Sequence, residues 1–327
     1  MGSERLPTPL SLAAARISLG PTAMRRAAIA SIVMTILVVA GGAFVRVTGS
    51  GLGCPTWPSC TDGSLGPTAE MGIHGVIEFV NRLLTWVLCA TVGLVILVAR
   101  CQQPPRRDVL TTAWWQFWIV ILNAIVGGIT VLARLSPYMV AAHFIAAMLL
   151  LTVATRTFDL IESHDVTVVT ATGRLRLHGM LLLVVAASLI LIGTVVTGTG
   201  VHAGDSADVH RIPLDWTVMT LVHGTVALVL AVVAVAMILH ARSAGARRLT
   251  RSAGVLVGLV LAQGAIGVLQ SLGVQPEMLI VLHLIGSALI WAGVLRIVFE
   301  TRRIDAGRPW QREARRALTQ SSADVDR

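Results

Sequence analysis

The sequence predicts an all-α integral membrane protein whose eight transmembrane helices form two pseudo-symmetric four-helix bundles. Three observations predict this fold: an apolar composition, eight long apolar runs and an internal repeat. Of the 327 residues, 55% are hydrophobic and only 13% are charged, whereas a soluble domain carries about 25% charged residues. The low charge indicates that lipid is the main solvent of this chain.

Eight apolar runs are close to the length that a membrane-spanning helix needs, which is about 20 residues. The runs cover residues 27–45, 74–99, 113–132, 138–158, 177–197, 216–239, 253–272 and 277–299. A soluble fold of this size could not bury all eight in one core. Residues 1–26 are polar and contain four arginines, so we expect a cytoplasmic tail rather than a cleaved signal peptide. Residues 301–327 are predicted to form a second cytoplasmic tail.

The arginines set the predicted orientation. The loops on one side carry Arg100, Arg106, Arg107, Arg156, Arg174, Arg176, Arg242, Arg247, Arg248 and Arg251. The opposite loops carry Arg46, Arg134 and Arg211 together with Asp62, Glu70, Asp205, Asp208, Asp215 and Glu277. Because basic residues are enriched in cytoplasmic loops, both termini are expected in the cytoplasm and the protein in the cell membrane. The net charge of +9 then reflects topology, and no nucleic-acid partner is expected.

An internal repeat divides the chain into two halves. Asn81 and His223 lie in similar sequence contexts 142 residues apart, and the pairs Asn123–Gln263 and His143–His283 are each 140 residues apart. Three matches in order at nearly constant offset predict two four-helix halves related by an axis along the membrane normal. The halves span residues 27–160 and 177–300, and residues 161–176 are predicted to form a cytoplasmic linker.

Three histidines are predicted to lie at one depth in the membrane. His143, His223 and His283 each lie about two turns into helices 4, 6 and 8, roughly 10 Å below the outer surface at 1.5 Å per residue. Two imidazoles that face each other across a helix bundle are the arrangement for bis-histidine haem ligation. The alternative is a set of packed polar residues bonded to neighbouring helices. Zinc is disfavoured because no further Cys or His lies at this depth.

The first half departs from this symmetry, because the position that matches His223 holds Asn81, a poor iron ligand. His74 lies about two turns further out on the same face of helix 2 and is a second candidate ligand; alternatively, it caps the helix or binds interfacial water. Glu78 lies between His74 and Asn81 on helix 2. A carboxylate inside the membrane is energetically costly and usually marks a functional site. It is predicted to act as a proton acceptor or to stabilise positive charge on a substrate, or to pair locally with Arg82; the two readings are compatible.

The first outer loop contains a cysteine pair in the segment GLGCPTWPSC. Because that side of the membrane is oxidising, a disulfide between Cys54 and Cys60 is expected, and the short loop with Trp57 could form a small lid. The alternative is a pair of free thiols. Cys89 and Cys101 have no predicted partner, and core packing accounts for them.

These features resemble the haem A synthase family over almost the whole chain. The residues that carry the resemblance are GGAFVRVTGSGLGCPTWPSC, IEFVNRLLT, the AAHF of helix 4, the VHG of helix 6 and the LHL of helix 8. The combination is specific, whereas any single segment would be weak. The resemblance implies eight helices in two similar halves. It also implies oxidation of the C8 methyl group of haem O to a formyl group, which gives haem A for cytochrome oxidase.

The resemblance also assigns roles to individual residues. A haem b cofactor in the C-terminal half is implied to lie between His223 and His283. The N-terminal half is implied to receive haem O, with His143 on its iron, and a helix-2 glutamate important for activity falls on Glu78. Arg82 and His74 are further candidates for contact with the substrate haem. The implied partners are haem O, the enzyme that makes haem O and the assembly of cytochrome oxidase.

Two departures from the family matter. Many relatives have a histidine where this chain has Asn81, which leaves the ligation of the substrate haem open. Some relatives have a second cysteine pair between helices 5 and 6, which this chain lacks, so only the Cys54–Cys60 disulfide is implied.

A bis-haem electron-transfer protein and a haem transporter remain as alternatives. The unlike halves favour an enzyme with one permanent and one exchangeable haem, because a relay needs two equivalent sites.

Overall fold

The computed structural model describes residues 19–103, 106–162, 172–200, 209–273 and 276–306, and in these residues the protein is helical without β-strands. Eight helices in this part are long and apolar enough to cross a membrane, which confirms the prediction of an all-α protein with eight membrane spans. They are α1 (Pro21–Val47), α2 (Gly72–Arg100), α3 (Arg107–Leu132), α4 (Pro137–Glu162), α5 (Thr172–Thr199), α6 (Trp216–Ser243), α7 (Arg247–Ser271) and α8 (Glu277–Ala306). A short 3₁₀ turn, Ala69–Met71, precedes α2.

The helices extend beyond the apolar runs on the side that carries most of the arginines, here called the arginine-rich surface. α1 begins at Pro21 and not at residue 27, and α3 and α7 begin at Arg107 and Arg247. The long arginine stem covers apolar surface while the guanidinium reaches water. A helix can therefore continue for one or two turns after its sequence stops being apolar. Most of the predicted tails and of the predicted linker, residues 1–18, 163–171 and 307–327, lies outside the described residues.

Two apolar clusters form most of the buried core. One is built from α1 to α4 and includes Val92 and Val120; the other is built from α5 to α8 and includes Leu230 and Leu256. A third, smaller cluster joins α1, α4 and α8. Each large cluster thus draws on four consecutive helices. The symmetry axis that the repeat predicts between the two sets stays a prediction.

Polar bonds fix the register of helices that apolar packing alone would leave free to slide. Gln116 of α3 accepts a hydrogen bond from Ser31 of α1 at 2.5 Å and donates one to Thr157 of α4 at 2.7 Å. In lipid such bonds contribute roughly 0.6 kcal/mol each on average. At the arginine-rich surface, Glu162 of α4 lies within 3.5 Å of Arg248, which links the first four helices to the last four.

Both large clusters stop short of the level of the predicted histidines. In α6 and α8 the nearest buried members are Leu230 and Ile290, each seven residues from His223 or His283. In α4 the nearest is Leu150, seven residues from His143. Seven residues correspond to about 10 Å along a helix. The histidine level therefore lies beyond the packed core of each cluster, toward the surface that carries residues 48–71, here called the disulfide surface.

Candidate functional site

His223 and His283 face each other across the C-terminal set of helices. Their ring centroids are 6.4 Å apart, with an interplanar angle of 52°. An imidazole nitrogen binds a first-row metal at roughly 2 Å and lies about 1.2 Å from its ring centroid, so two ligands on opposite sides of one metal have centroids about 6.4 Å apart. The spacing of these two rings therefore fits one metal ion between them.

Each of the two rings lies against a glycine of a neighbouring helix. A Cβ atom built on Gly193 of α5 would be 3.1 Å from Cε1 of His223. A Cβ atom on Gly267 of α7 would be 3.7 Å from Cε1 of His283. The missing side chains leave space for the imidazoles between closely packed helices.

The same contact recurs twice in the N-terminal half. A Cβ atom on Gly127 of α3 would be 2.9 Å from Cε1 of His143, and one on Gly41 of α1 would be 2.5 Å from Oδ1 of Asn81. Every odd-numbered helix thus presents a glycine to a polar side chain of an even-numbered helix. Sequence reasoning missed these glycines, although GG in α3 and GAIG in α7 lie in the matched repeat segments.

Several buried polar atoms near the predicted histidines have no hydrogen-bond partner. The Nδ1 atoms of His143, His223 and His283 and the Oδ1 atom of Asn81 are buried and have no hydrogen-bond partner in the described part of the chain. Buried polar atoms are almost always bonded, and each unsatisfied one costs about 1–3 kcal/mol. Four such atoms on α2, α4, α6 and α8 make this part of the helix bundle a candidate binding site.

The donor set fits haem better than a bare metal ion. Among the described residues no group of three or more His, Cys, Asp or Glu side chains could hold a metal ion. A structural zinc site needs four protein ligands and a catalytic one needs three. Haem supplies four nitrogens of its own and takes only one or two axial ligands from the protein. His223 and His283 could hold such an iron, and His143 could hold a second one.

Glu78 is buried, with 4% of its surface exposed, and both of its oxygens are bonded. Oε1 accepts hydrogen bonds from Nε and Nη2 of Arg82 at 3.1 and 2.5 Å. Oε2 accepts one from the backbone N–H of Cys54 at 2.6 Å. The local Glu78–Arg82 pair that the spacing predicts is therefore present, and it also anchors the disulfide loop. The role of Glu78 as a proton acceptor stays a prediction.

Arg82 uses all five of its N–H donors. Besides the two bonds to Glu78, it donates to the backbone carbonyls of Cys54 at 2.8 Å, Thr56 at 3.0 Å and Ser59 at 3.1 Å. The loop thus wraps its carbonyls around one guanidinium. This arrangement was not predictable from the sequence, because carbonyl positions depend on the folded loop. Contact of Arg82 with a haem stays a prediction.

The predicted disulfide between Cys54 and Cys60 is present, with a Cα–Cα distance of 4.5 Å. At the tip of this loop, Trp57 packs on Gly128 of α3 so closely that any side chain there would overlap the indole. Gly128 follows Gly127, the glycine that faces His143. The loop therefore reaches from the disulfide surface down to the level of His143, as a lid would.

His74 does not reach the level of the other candidates. It is exposed, and its Nδ1 atom forms a 2.9 Å hydrogen bond with Oγ of Ser50. It lies seven residues before Asn81, or about 10 Å further out along α2. Its role as a ligand of the substrate haem stays a prediction.

The glycine contacts predict unequal effects of one small substitution. Gly127→Ala forces a Cβ atom into His143, and overpacking costs about 1–3 kcal/mol. Gly267→Ala makes only an ordinary contact with His283, and the helix propensity of alanine favours it by up to about 1 kcal/mol. We expect Gly127→Ala to lower the melting temperature of the detergent-solubilised protein and Gly267→Ala to leave it unchanged or higher. Equal melting temperatures for the two variants would contradict the contacts described above.

The Arg82 bonds predict that the loop depends on the guanidinium fork. Arg82→Lys keeps the charge but has three donors on a point-like ammonium group. Losing two or more of the five bonds costs about 1–3 kcal/mol, so backbone amides of residues 54–60 should exchange hydrogen about tenfold faster by mass spectrometry. Arg106→Lys, which changes an arginine paired with Asp108 near the opposite surface, is the control. Unchanged hydrogen exchange in Arg82→Lys would mean that the loop keeps its conformation without the hydrogen bonds of the Arg82 guanidinium.

Comparison with known proteins identifies the family of this chain. The sequence profile of the family described as "Cytochrome oxidase assembly protein" matches residues 25–295. The protein named "Heme A synthase" from Lysinibacillus sphaericus is 30% identical over 179 residues, which cover 53% of this chain and 57% of that protein. Those from Listeria welshimeri and Bacillus pumilus are each 31% identical, over 115 and 124 residues.

These alignments cover 37% of the Listeria protein and 39% of the Bacillus protein, so the chain aligns with less than two thirds of each of these three relatives. The family profile, in contrast, extends from α1 to α8 and includes all four glycine contacts and the disulfide loop. On this match, the chain belongs to the cytochrome oxidase assembly protein family whose named relatives are haem A synthases.

Proposed function

We propose that this protein is a haem A synthase, an oxidoreductase that converts the C8 methyl group of haem O to a formyl group and so provides haem A for cytochrome oxidase. The observation that carries the proposal is the pair of unlike sites at one level. One site has two facing imidazoles, 6.4 Å apart; the other has His143 and Asn81 in the matching positions. A permanent cofactor and a substrate of the same chemical class explain two related but unequal sites.

In this proposal His223 and His283 would hold a resident haem b, and the cofactor would supply a one-electron redox centre. Turning a methyl group into a formyl group replaces two hydrogens on the carbon by one oxygen and is a four-electron oxidation. With water as the oxygen donor, four protons and four electrons are released, and the electrons pass to an acceptor outside this chain. The repeat matches His283 to His143, so we expect the two sites at one depth, which would favour electron transfer between them.

The substrate haem is assigned to the N-terminal half, with His143 on its iron. Glu78 lies three residues before Asn81 on α2, about 4.5 Å further out. As the methyl carbon loses electrons it becomes electron-poor, and a carboxylate in a low-dielectric site can stabilise that charge or accept a proton. Glu78 also holds the loop whose Trp57 reaches the level of His143, so it orders the wall of the same site.

We place the protein in the cell membrane with the arginine-rich surface in the cytoplasm, as the positive-inside rule predicts. The described helices are continuous over their whole spans. Transporters usually bind their substrates at broken helices in mid-membrane, so these continuous helices favour an enzyme over a haem transporter. The substrate haem must come from an enzyme that makes haem O, and the product must pass to the assembly of cytochrome oxidase.

Pigment analysis of Glu78→Gln tests the proposal. The change is nearly isosteric, but the neutral amide can neither accept a proton nor balance a positive charge. Losing one such group commonly costs about 10²-fold or more in rate. We expect the variant to keep the haem b spectrum, to accumulate haem O or a partly oxidised haem, and to contain little haem A by extraction and chromatography.

Two comparisons make this test specific. His223→Ala should lose the low-spin haem b spectrum that Glu78→Gln keeps, because His223 is a proposed ligand of haem b and Glu78 lies in the other half of the protein. Formation of haem A by Glu78→Gln at the wild-type rate would reduce Glu78 to an anchor of the loop. A wild-type protein that binds two haems but never alters haem O would instead be an electron-transfer protein.

A further inference from the structure

We infer that the iron of the substrate haem takes one ligand from the protein, His143, and that Asn81 leaves the opposite coordination position open to a small ligand. The inference rests on the proposed function, because it concerns the haem assigned to the N-terminal half. It identifies a ligand site that the C-terminal half does not have. The ligand class is water or a small diatomic molecule such as carbon monoxide.

Asn81 occupies the fourth of four equivalent positions. It is matched to His223 by the repeat, and Gly41 faces it as Gly193 faces His223. The next member of the large apolar cluster on α2 is Leu88, seven residues away, the same spacing that separates the histidines of α4, α6 and α8 from the large clusters. The position is therefore built like a ligand position but carries a carboxamide.

A carboxamide cannot replace the imidazole at this position. It is shorter than the imidazole of a histidine, and its neutral oxygen is a poor iron ligand compared with an imidazole nitrogen. A gap therefore remains between Asn81 and an iron held by His143. The buried Oδ1 atom of Asn81 has no partner among the described residues, so the amide is available to hydrogen-bond a molecule in that gap.

Three polar side chains close to Asn81 or His143 in the sequence or the repeat are already bonded elsewhere. His74 lies about 10 Å further out along α2, and its ring is bonded to Ser50. Arg82 spends its five donors on Glu78 and the disulfide loop. Asn123 of α3 donates to the carbonyl of Ile119 in its own helix.

The polarity of the pocket opposite an iron, and the hydrogen-bond donors in it, decide which small ligands bind there. An amide can donate through Nδ2 and accept through Oδ1, so Asn81 suits either water or a polarised diatomic. The resident haem b, held by His223 and His283 on both sides, offers no such position. The two halves thus differ in two ways. The iron of the substrate haem is open to a small ligand whereas that of haem b is not, and the substrate haem is exchangeable whereas haem b is resident.

The test uses carbon monoxide as the probe on purified protein loaded with haem O and reduced. We expect one carbon monoxide bound per protein, at haem O, and a high-spin ferric spectrum for haem O before reduction. The haem b serves as an internal control because both axial positions are taken. Asn81→His should convert haem O to a low-spin form and reduce its affinity for carbon monoxide at least about tenfold, or 1.4 kcal/mol.

Val80→His is the matched control. Val80 precedes Asn81 on α2 and is 50% exposed. The Val80→His substitution therefore adds an imidazole at nearly the depth of Asn81, but on another face of the helix. This variant should keep the high-spin haem O and its carbon monoxide binding. Asn81→Ala should also leave the iron of haem O with an open coordination position. This variant shows whether an effect of Asn81→His comes from the loss of the amide or from the added imidazole.

Three results would count against the inference in distinguishable ways. Low-spin haem O without carbon monoxide binding in the wild type would overturn it, and a switch to high spin in His74→Ala would then identify His74 as the second ligand. Unchanged carbon monoxide binding in Asn81→His would show that position 81 does not face the iron. Failure of every variant to take up haem O, with haem b retained, would overturn the proposed substrate site itself.

Discussion

The structure depends on one constraint: a polar ring placed inside a membrane bundle needs room between helices that otherwise pack tightly. Glycines on α1, α3, α5 and α7 provide that room at a single level. Below this level each half is packed with buried apolar side chains. Above it lies the disulfide surface. The packed part holds the helices rigidly, so that the imidazoles and Asn81 keep their positions around whatever binds among them.

The helices, the facing pair of His223 and His283 and the disulfide could be predicted from the sequence, because each leaves a recognisable signature in it. Apolar length marks a span, equal offsets mark the repeat, and paired cysteines on an oxidising side indicate a disulfide. The five bonds of Arg82 and the contact of Trp57 with Gly128 could not be predicted. They join segments that are far apart in the sequence, and their geometry exists only after the loop has folded.

The two halves share one plan and differ in what surrounds the site. The N-terminal half carries Asn81 in place of a histidine and a loop anchored by Glu78 and Arg82 that reaches His143 through Trp57. The C-terminal half has two imidazoles facing each other. In the proposed function this difference separates an exchangeable substrate from a fixed cofactor. A bound group of the same chemical class in both halves would also explain why the repeat is retained.

The central claim is that two facing imidazoles, His223 and His283, hold one haem iron. The most direct measurement is an electron cryo-microscopy map of the purified protein with its native pigment. The account predicts a porphyrin between α6 and α8, with iron bonded to both rings and their centroids close to the present 6.4 Å. A map in which the porphyrin lies elsewhere, or in which either imidazole points away from the iron, would contradict it.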